Sequence, residues 1–333
     1  MQSQFTKYSS IAGLVASLFA LPTMAVAADK IVKIDGSSTV YPITEAVAEE
    51  FQKATKTKVT VGVSGTGGGF KKFCRGETDV QNASRPILQK EIDACKEAGV
   101  QFIELPVAYD ALTVVINPQN EFAKKMTAAE LKKLWEPAAQ GKVKTWNQVN
   151  PAWPNTPVKL YGPGADSGTF DYFTEAIVGK AKSSRGDFTA SEDDNVLVKG
   201  VVGDKGALGY FGYAYYEENQ DKLTAVAVIE KAGKPAVLPS KASIEDGSYQ
   251  PLARPIFIYV NATAAAFKPE VKAFVNYYLE NSKPLIEEVK YVALPAKEQK
   301  AVITHWKALK PGTGFGGKAE VGVKIEELLA RIK

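Results

Sequence analysis

The chain has 333 residues, with 41 Lys and Arg against 37 Asp and Glu, one histidine and two cysteines. Its net charge of +4 is carried by Lys residues scattered close to Glu, as Lys132 and Lys133 are between Glu130 and Glu136, which leaves no basic stripe for a nucleic acid. A single histidine and the lack of any C-x-x-C spacing leave no zinc-ligand set.

In chain order, Lys7 is the only charge before an apolar stretch, 11–24, that ends in Ala25-Val26-Ala27 ahead of Ala28-Asp29. A positive start, a short apolar core and an A-x-A ending are what a secretory signal peptide requires, so residues 1–27 are expected to be cleaved after Ala27. The core is too short to span a bilayer comfortably. The mature protein is therefore expected to be soluble and, in a diderm bacterium, periplasmic, with a length that divides into two domains. In that oxidising compartment Cys74 and Cys95 are expected to form one disulfide, the alternative being a buried thiol pair.

Residues 30–35 predict a strand ending in Gly36, and 42–53 a helix with Ile43, Val47 and Phe51 on one face. A second strand follows at 58–63, then a glycine-rich turn and a helix stopping at Gly76, which is βαβ logic with a parallel sheet. Further strands are expected at 79–81, 107–117, 158–161 and 255–261, and helices at 166–178, 269–280 and 318–332. The two apolar runs at 111–117 and 255–261 are expected to be crossings between lobes. The fold class is then α/β, two lobes that are each a mixed sheet flanked by helices. Lobe I comprises 28–112 and 256–333, and lobe II is the insertion 113–255.

Three segments place glycine and small hydroxyl residues between a strand and the next helix: Gly36-Ser37-Ser38-Thr39, Ser64-Gly65-Thr66-Gly67-Gly68-Gly69 and Gly164-Ala165-Asp166-Ser167-Gly168-Thr169. Each sets backbone N–H groups and a hydroxyl at the positive end of a helix, where an anion is stabilised. One such segment alone is an ordinary N-cap; three at strand ends of an α/β protein point to the crevice where ligands bind. A fourth, Asn82-Ala83-Ser84-Arg85-Pro86, offers a guanidinium that can grip an oxyanion with two hydrogen bonds.

The strings D-G-S-S-T-V-Y-P, S-G-T-G-G-G-F, N-A-S-R-P and A-D-S-G-T-F, in that order and spacing, resemble the phosphate-binding proteins of phosphate ABC transporters, the PstS family. The resemblance implies a type II periplasmic-binding fold closing on inorganic phosphate, a membrane permease as partner, no cofactor and no catalysis; the protein is expected to be a monomer that holds no metal. It places the family's ligands on Thr39, Val40, Thr66, Ser167, Gly168 and Thr169, with Ser38, Ser64 and Ser84 as neighbouring donors.

Two positions depart from the family's pattern. Pro163 stands where many members have Arg, and Arg85 where many have Asp, so Arg85 is expected to be the only guanidinium in the site, with Arg185 and Arg254 adjoining no hydroxyl cradle. Asp35, Asp110 and Asp166 are the candidates for accepting the phosphate proton. The alternatives are another oxyanion (sulfate, molybdate or a phosphonate) or a periplasmic phosphatase, for which the sequence supplies no base or metal cluster. Gly312-Thr313-Gly314-Phe315-Gly316-Gly317 fits a dinucleotide fingerprint formally but follows a helical segment and is read as a loop. His305 is read as helix surface, and the tyrosines of 210–216 as packing beneath the cleft.

Overall fold

The computed structural model describes residues 30–318, 320 and 325–331; the expected signal peptide and its cleavage point lie outside them. Twelve strands are described, β1 (Ile31–Gly36), β2 (Lys58–Val61), β3 (Val80–Ala83), β4 (Phe102–Ile116), β5 (Lys125–Thr127), β6 (Lys159–Pro163), β7 (Thr189–Ser191), β8 (Ala207–Gly212), β9 (Thr224–Ala225), β10 (Ala227–Ile229), β11 (Ala253–Asn261) and β12 (Val292–Ala293). The main sheet runs β2-β1-β3-β11-β4-β8-β6-β7. β1 pairs in parallel with β2 and β3, as the alternation of strands and helices requires.

β4 is the spine of the molecule. Its residues 102–111 pair antiparallel with β11 in the first lobe, and 112–116 pair with β8 in the second. Fourteen of its fifteen residues are buried, which explains why it reads as one apolar run. The expected second crossing is corrected in detail: 255–261 lies wholly within the first lobe, paired with β3 and β4, and the chain returns just ahead of β11, where Leu112 N–H donates to the Leu252 carbonyl. Tyr249 and Leu252 sit in the second lobe's core while Ile256 and Ile258 sit in the first's.

Each lobe covers both faces of its sheet. In the first, helices Tyr41–Thr55, Pro269–Glu288 and Ala296–Lys307 bury Ile43, Val47, Phe51, Phe274 and Trp306 on one face. Phe70, Phe73, Phe257 and Leu328 fill the other. The helix Tyr41–Thr55 carries Pro42 in its first turn, which its fixed φ suits, and stops at Lys56 in the left-handed region (φ 61°). In the second lobe, Trp135, Trp146, Phe173 and Tyr210 pack on one face, and Leu197, Val201 and Phe211 on the other. Cys74 and Cys95 are joined by a disulfide that ties the end of helix Gly65–Phe73 to helix Gln89–Glu97. The C-terminal helical expectation, 318–332, narrows to Ile325–Arg331 among the described residues.

Candidate functional site

All four sequence segments fall at the C-terminal ends of strands β1, β2, β3 and β6, facing the crevice between the lobes. Gly36 sits at φ 134°, where a Cβ would come within 2.2 Å of the Asn82 carbonyl oxygen; only glycine lets the β1 turn lie against the β3 turn. Beyond it, Tyr215 OH donates to the Ser38 carbonyl at 3.3 Å and Tyr291 OH to the Thr39 carbonyl at 2.5 Å, so the loop is fixed from behind. Tyr215 belongs to the tyrosines expected beneath the cleft.

The hydroxyl of Thr39 meets that of Thr169 at 3.0 Å, both residues fully buried. The Thr66 and Ser84 hydroxyls lie 3.2 Å apart, and the Ser84 N–H donates to Thr66 Oγ1 at 3.1 Å. A Cβ on Gly168 would come within 2.4 Å of Thr66 Oγ1 and 2.6 Å of Ser84 Oγ, so Gly168 is the point where the second lobe's helix start enters the first lobe's hydroxyls. Ser167 caps that helix, accepting from the Thr169 N–H at 3.1 Å. Thr39, Thr66, Ser84, Gly168 and Thr169 are thus brought together, with Ser38 and Val40 flanking Thr39 in the chain and Ser167 preceding Gly168. Ser64 does not join them, because its hydroxyl donates to Asp35 Oδ1.

Arg85 is where the structure departs most from expectation. Its side chain is 2% exposed and four of its five N–H donors are taken by protein acceptors: both Glu91 oxygens at 2.8 Å, Asp171 Oδ2 at 2.6 Å and the Pro86 carbonyl at 3.0 Å. The guanidinium that touches the cradle is that of Arg254, 1% exposed, whose Nη2 donates to Thr169 Oγ1 at 2.8 Å and stands 3.4 Å from Thr39 Oγ1. Arg85 is thus not the only guanidinium here, and Arg254 does adjoin a hydroxyl cradle. Arg185 does not; it is held by Asp187 and by the Leu134 and Val143 carbonyls.

Arg254 is positioned by register. It stands directly opposite Asp110 in the β11/β4 ladder, and Asp110 Oδ2 accepts from Nε at 3.1 Å and Nη2 at 3.0 Å. A lone Arg and a lone Asp, each at the start or middle of an apolar strand, were the sequence signal for this pair. Burial pushes the Asp110 carboxyl up, while Arg254 opposes the shift. Asp194, 1% exposed at the start of helix Asp194–Gly203, was not anticipated: burial first, and then the Asp110 charge, push it up to about 8. Of the other two acids weighed, Asp35 is occupied by Ser64 and Lys72, and Asp166 pairs with Lys71 near the surface.

The arrangement is a set of buried hydroxyls, a helix start and one charge-compensated guanidinium, which is chemistry for holding a small oxyanion. Among the described residues no group of three or more His, Cys, Asp or Glu is placed to hold a metal ion. His305 is half-buried in helix Ala296–Lys307, in the first lobe's helical layer and outside the set of residues that converges on the cradle.

A family model described as a PBP superfamily domain matches residues 23–282. The chain is 54% identical to Protein SphX of Synechococcus elongatus, over 96% of this chain and 94% of that one. It is 42% identical to the phosphate-binding protein PstS of Staphylococcus saprophyticus, over 80% and 81% of the two chains. The crystal structure of a possible phosphate binding protein from Planctomyces limnophilus aligns with 50% identity and a TM-score of 0.63, covering 84% of this chain and 98% of that one.

Proposed function

The chain belongs to the PstS-like phosphate-binding proteins of the PBP superfamily, a family of substrate-binding proteins rather than enzymes, and from that membership we propose that it captures inorganic phosphate between its lobes and delivers it to the permease of an ABC transporter. The observation that carries the reading is the contact of Thr39 and Thr169 with each other and with Arg254: hydroxyls from both lobes and a guanidinium converge on one buried point.

In this reading phosphate oxygens are bound by Thr39 and the Val40 N–H from the first lobe, by Thr66 and Ser84, and by Ser167, Gly168 and Thr169 from the helix start of the second. Ser38 shapes the first turn and Ser64 stands outside it. Arg254 supplies the positive charge. Asp110, which shares Arg254 with the Thr39 and Thr169 hydroxyls, accepts a hydrogen bond from the proton of hydrogen phosphate, which sulfate does not carry. The protein is exported through the leader at 1–27 and works as a monomer in the periplasm without a cofactor; in this reading lobe I is 28–111 with 253–333 and lobe II is 112–252, dividing where β4 changes partner from β11 to β8.

A thermal-shift comparison tests the reading. Protein stripped of bound anion should be stabilised by RT ln(1 + [L]/Kd), about 2.7 kcal/mol at a hundredfold excess of phosphate over Kd. Equal stabilisation by sulfate or molybdate would make it a general oxyanion receptor, and none by phosphate would remove the assignment.

A further inference from the structure

The buried ion pair between Arg85 and Asp171 joins the two lobes: Arg85 follows β3 in the first, and Asp171 lies on the helix Gly168–Phe173 that starts at the Ser167 cap in the second. Both side chains are sealed from solvent, at 2% and 1% exposure, and meet at 2.6 Å. On the first-lobe side Arg85 is anchored by Glu91, whose Oε2 also accepts the Leu88 N–H at 2.9 Å and whose helix is stapled through Cys95 to Cys74. The Phe70 ring lies under the guanidinium, with its centroid 5.8 Å away. On the second-lobe side Lys182 approaches the other Asp171 oxygen at 3.4 Å and donates to the Ala165 carbonyl at 2.6 Å.

Other contacts also bridge the crevice near this pair. Gly67 N–H donates to the Asp166 carbonyl at 2.8 Å, and Lys71 pairs with the Asp166 carboxylate at 2.9 Å, but that pair is exposed at 63% and 43% and contributes little in water. The Arg85–Asp171 pair is different. Its two partners stand on opposite lobes, with Asp171 set against the first-lobe group of Arg85, Glu91 and Phe70, so separating the lobes breaks it.

We propose that Arg85 is a positioning residue that acts through Asp171 as a closing clasp, holding the Ser167 helix start against the first-lobe hydroxyls and so setting how long the captured anion stays. This rests on the reading that the cradle takes phosphate. An interaction made only in the closed form slows opening and leaves the encounter of anion with the open form untouched, so its loss appears in dissociation rather than association.

The test uses the full mature protein and radiolabelled inorganic phosphate. Asp171→Asn is the first variant, because Arg85 then keeps Glu91 and the only cation that loses a carboxylate, Lys182, is 35% exposed to solvent; Arg85→Lys, which keeps the charge and loses the fork, is the second. Both should raise the dissociation rate by about tenfold or more while the association rate stays within roughly threefold of wild type. The double variant should be no worse than the worse single one, since the two residues act as a unit. If Arg85 instead bound the anion directly, Asp171→Asn would free its guanidinium and slow dissociation; that result, or rates unchanged in both variants, overturns the clasp. A purely structural role would lower the melting temperature without accelerating release. Small-angle scattering separates this failure from failure of the phosphate reading: even if wild type binds no phosphate, the clasp predicts a larger radius of gyration in Asp171→Asn, and an equal radius overturns it.

Discussion

Thr39 and Thr169, 130 residues apart and in different lobes, meet hydroxyl to hydroxyl at 3.0 Å with the Nη2 of Arg254 2.8 Å from one and 3.4 Å from the other. The cation of the cradle thus comes from the strand next to the hinge, not from either helix-start loop. Arg254→Ala should leave Asp110 buried without its partner and remove the positive charge, costing about 2 to 5 kcal/mol of binding, or roughly thirtyfold to several thousandfold in Kd. Thr39→Val or Thr169→Val should each cost less, about 0.5 to 3 kcal/mol, as befits one hydrogen bond to a charged ligand. Calorimetric titration with phosphate reads all three; an Arg254→Ala protein that folds and binds within threefold of wild type would remove Arg254 from the site.

Gly168 has no room for a side chain once the lobes are together. Gly168→Ala places a methyl within 2.4 Å of Thr66 Oγ1, against buried atoms on both sides. Overpacking of this kind costs about 1 to 3 kcal/mol, and because Thr66 belongs to the other lobe the cost falls on closure. Phosphate affinity should drop about five- to a hundredfold with cooperative thermal unfolding retained. Unchanged affinity would mean the lobes do not approach as described.

Removing the Cys74–Cys95 disulfide should destabilise the protein by about 3 kcal/mol, the chain-entropy value for a closed loop of this length. A Cys74→Ser/Cys95→Ser protein should unfold at lower urea, and the exported wild-type protein should show no alkylatable thiol until reduced. Two reactive thiols without reduction would contradict the bridge.

Asp194 and Glu104 are fully buried carboxyls whose folded pKa values are raised, to about 8 and about 7, chiefly by burial. Their unfolded values are about 4. The folded state therefore holds protons that the unfolded state releases, so their contribution to stability is complete below about pH 4 and is lost as the pH rises through 7 to 8. The urea midpoint should fall between pH 5 and 9, and Asp194→Asn, which stays neutral, should flatten that slope. A slope unaltered in Asp194→Asn would show that Asp194 is ionised in the folded protein.

Much of this was legible in the residues. The helix-start segments that follow β1, β2 and β6 carry glycine and hydroxyl groups whose purpose is local, and local chemistry can be read along a chain. Arg85 and Arg254 show where such reading fails. Arg85 adjoins a hydroxyl segment in sequence, yet Glu91, six residues on, and Asp171, in the other lobe, occupy its fork. Arg254 looks like an isolated charge entering an apolar strand until the antiparallel register sets it against Asp110. The return crossing was misplaced for a related reason: β11 is apolar because it is central to the first lobe's sheet, not because it spans both lobes. Asp194 follows Asp193, which caps its helix, and nothing in that order distinguishes the exposed acid from the buried one.

The most direct test is calorimetric titration of the anion-stripped mature protein with phosphate and with sulfate, for wild type and Arg254→Ala. One phosphate per chain, binding tighter than sulfate and weakened at least about thirtyfold by the substitution, is the predicted result. Wild-type protein that gives no saturable heat with phosphate, or that binds sulfate as tightly, would contradict the account.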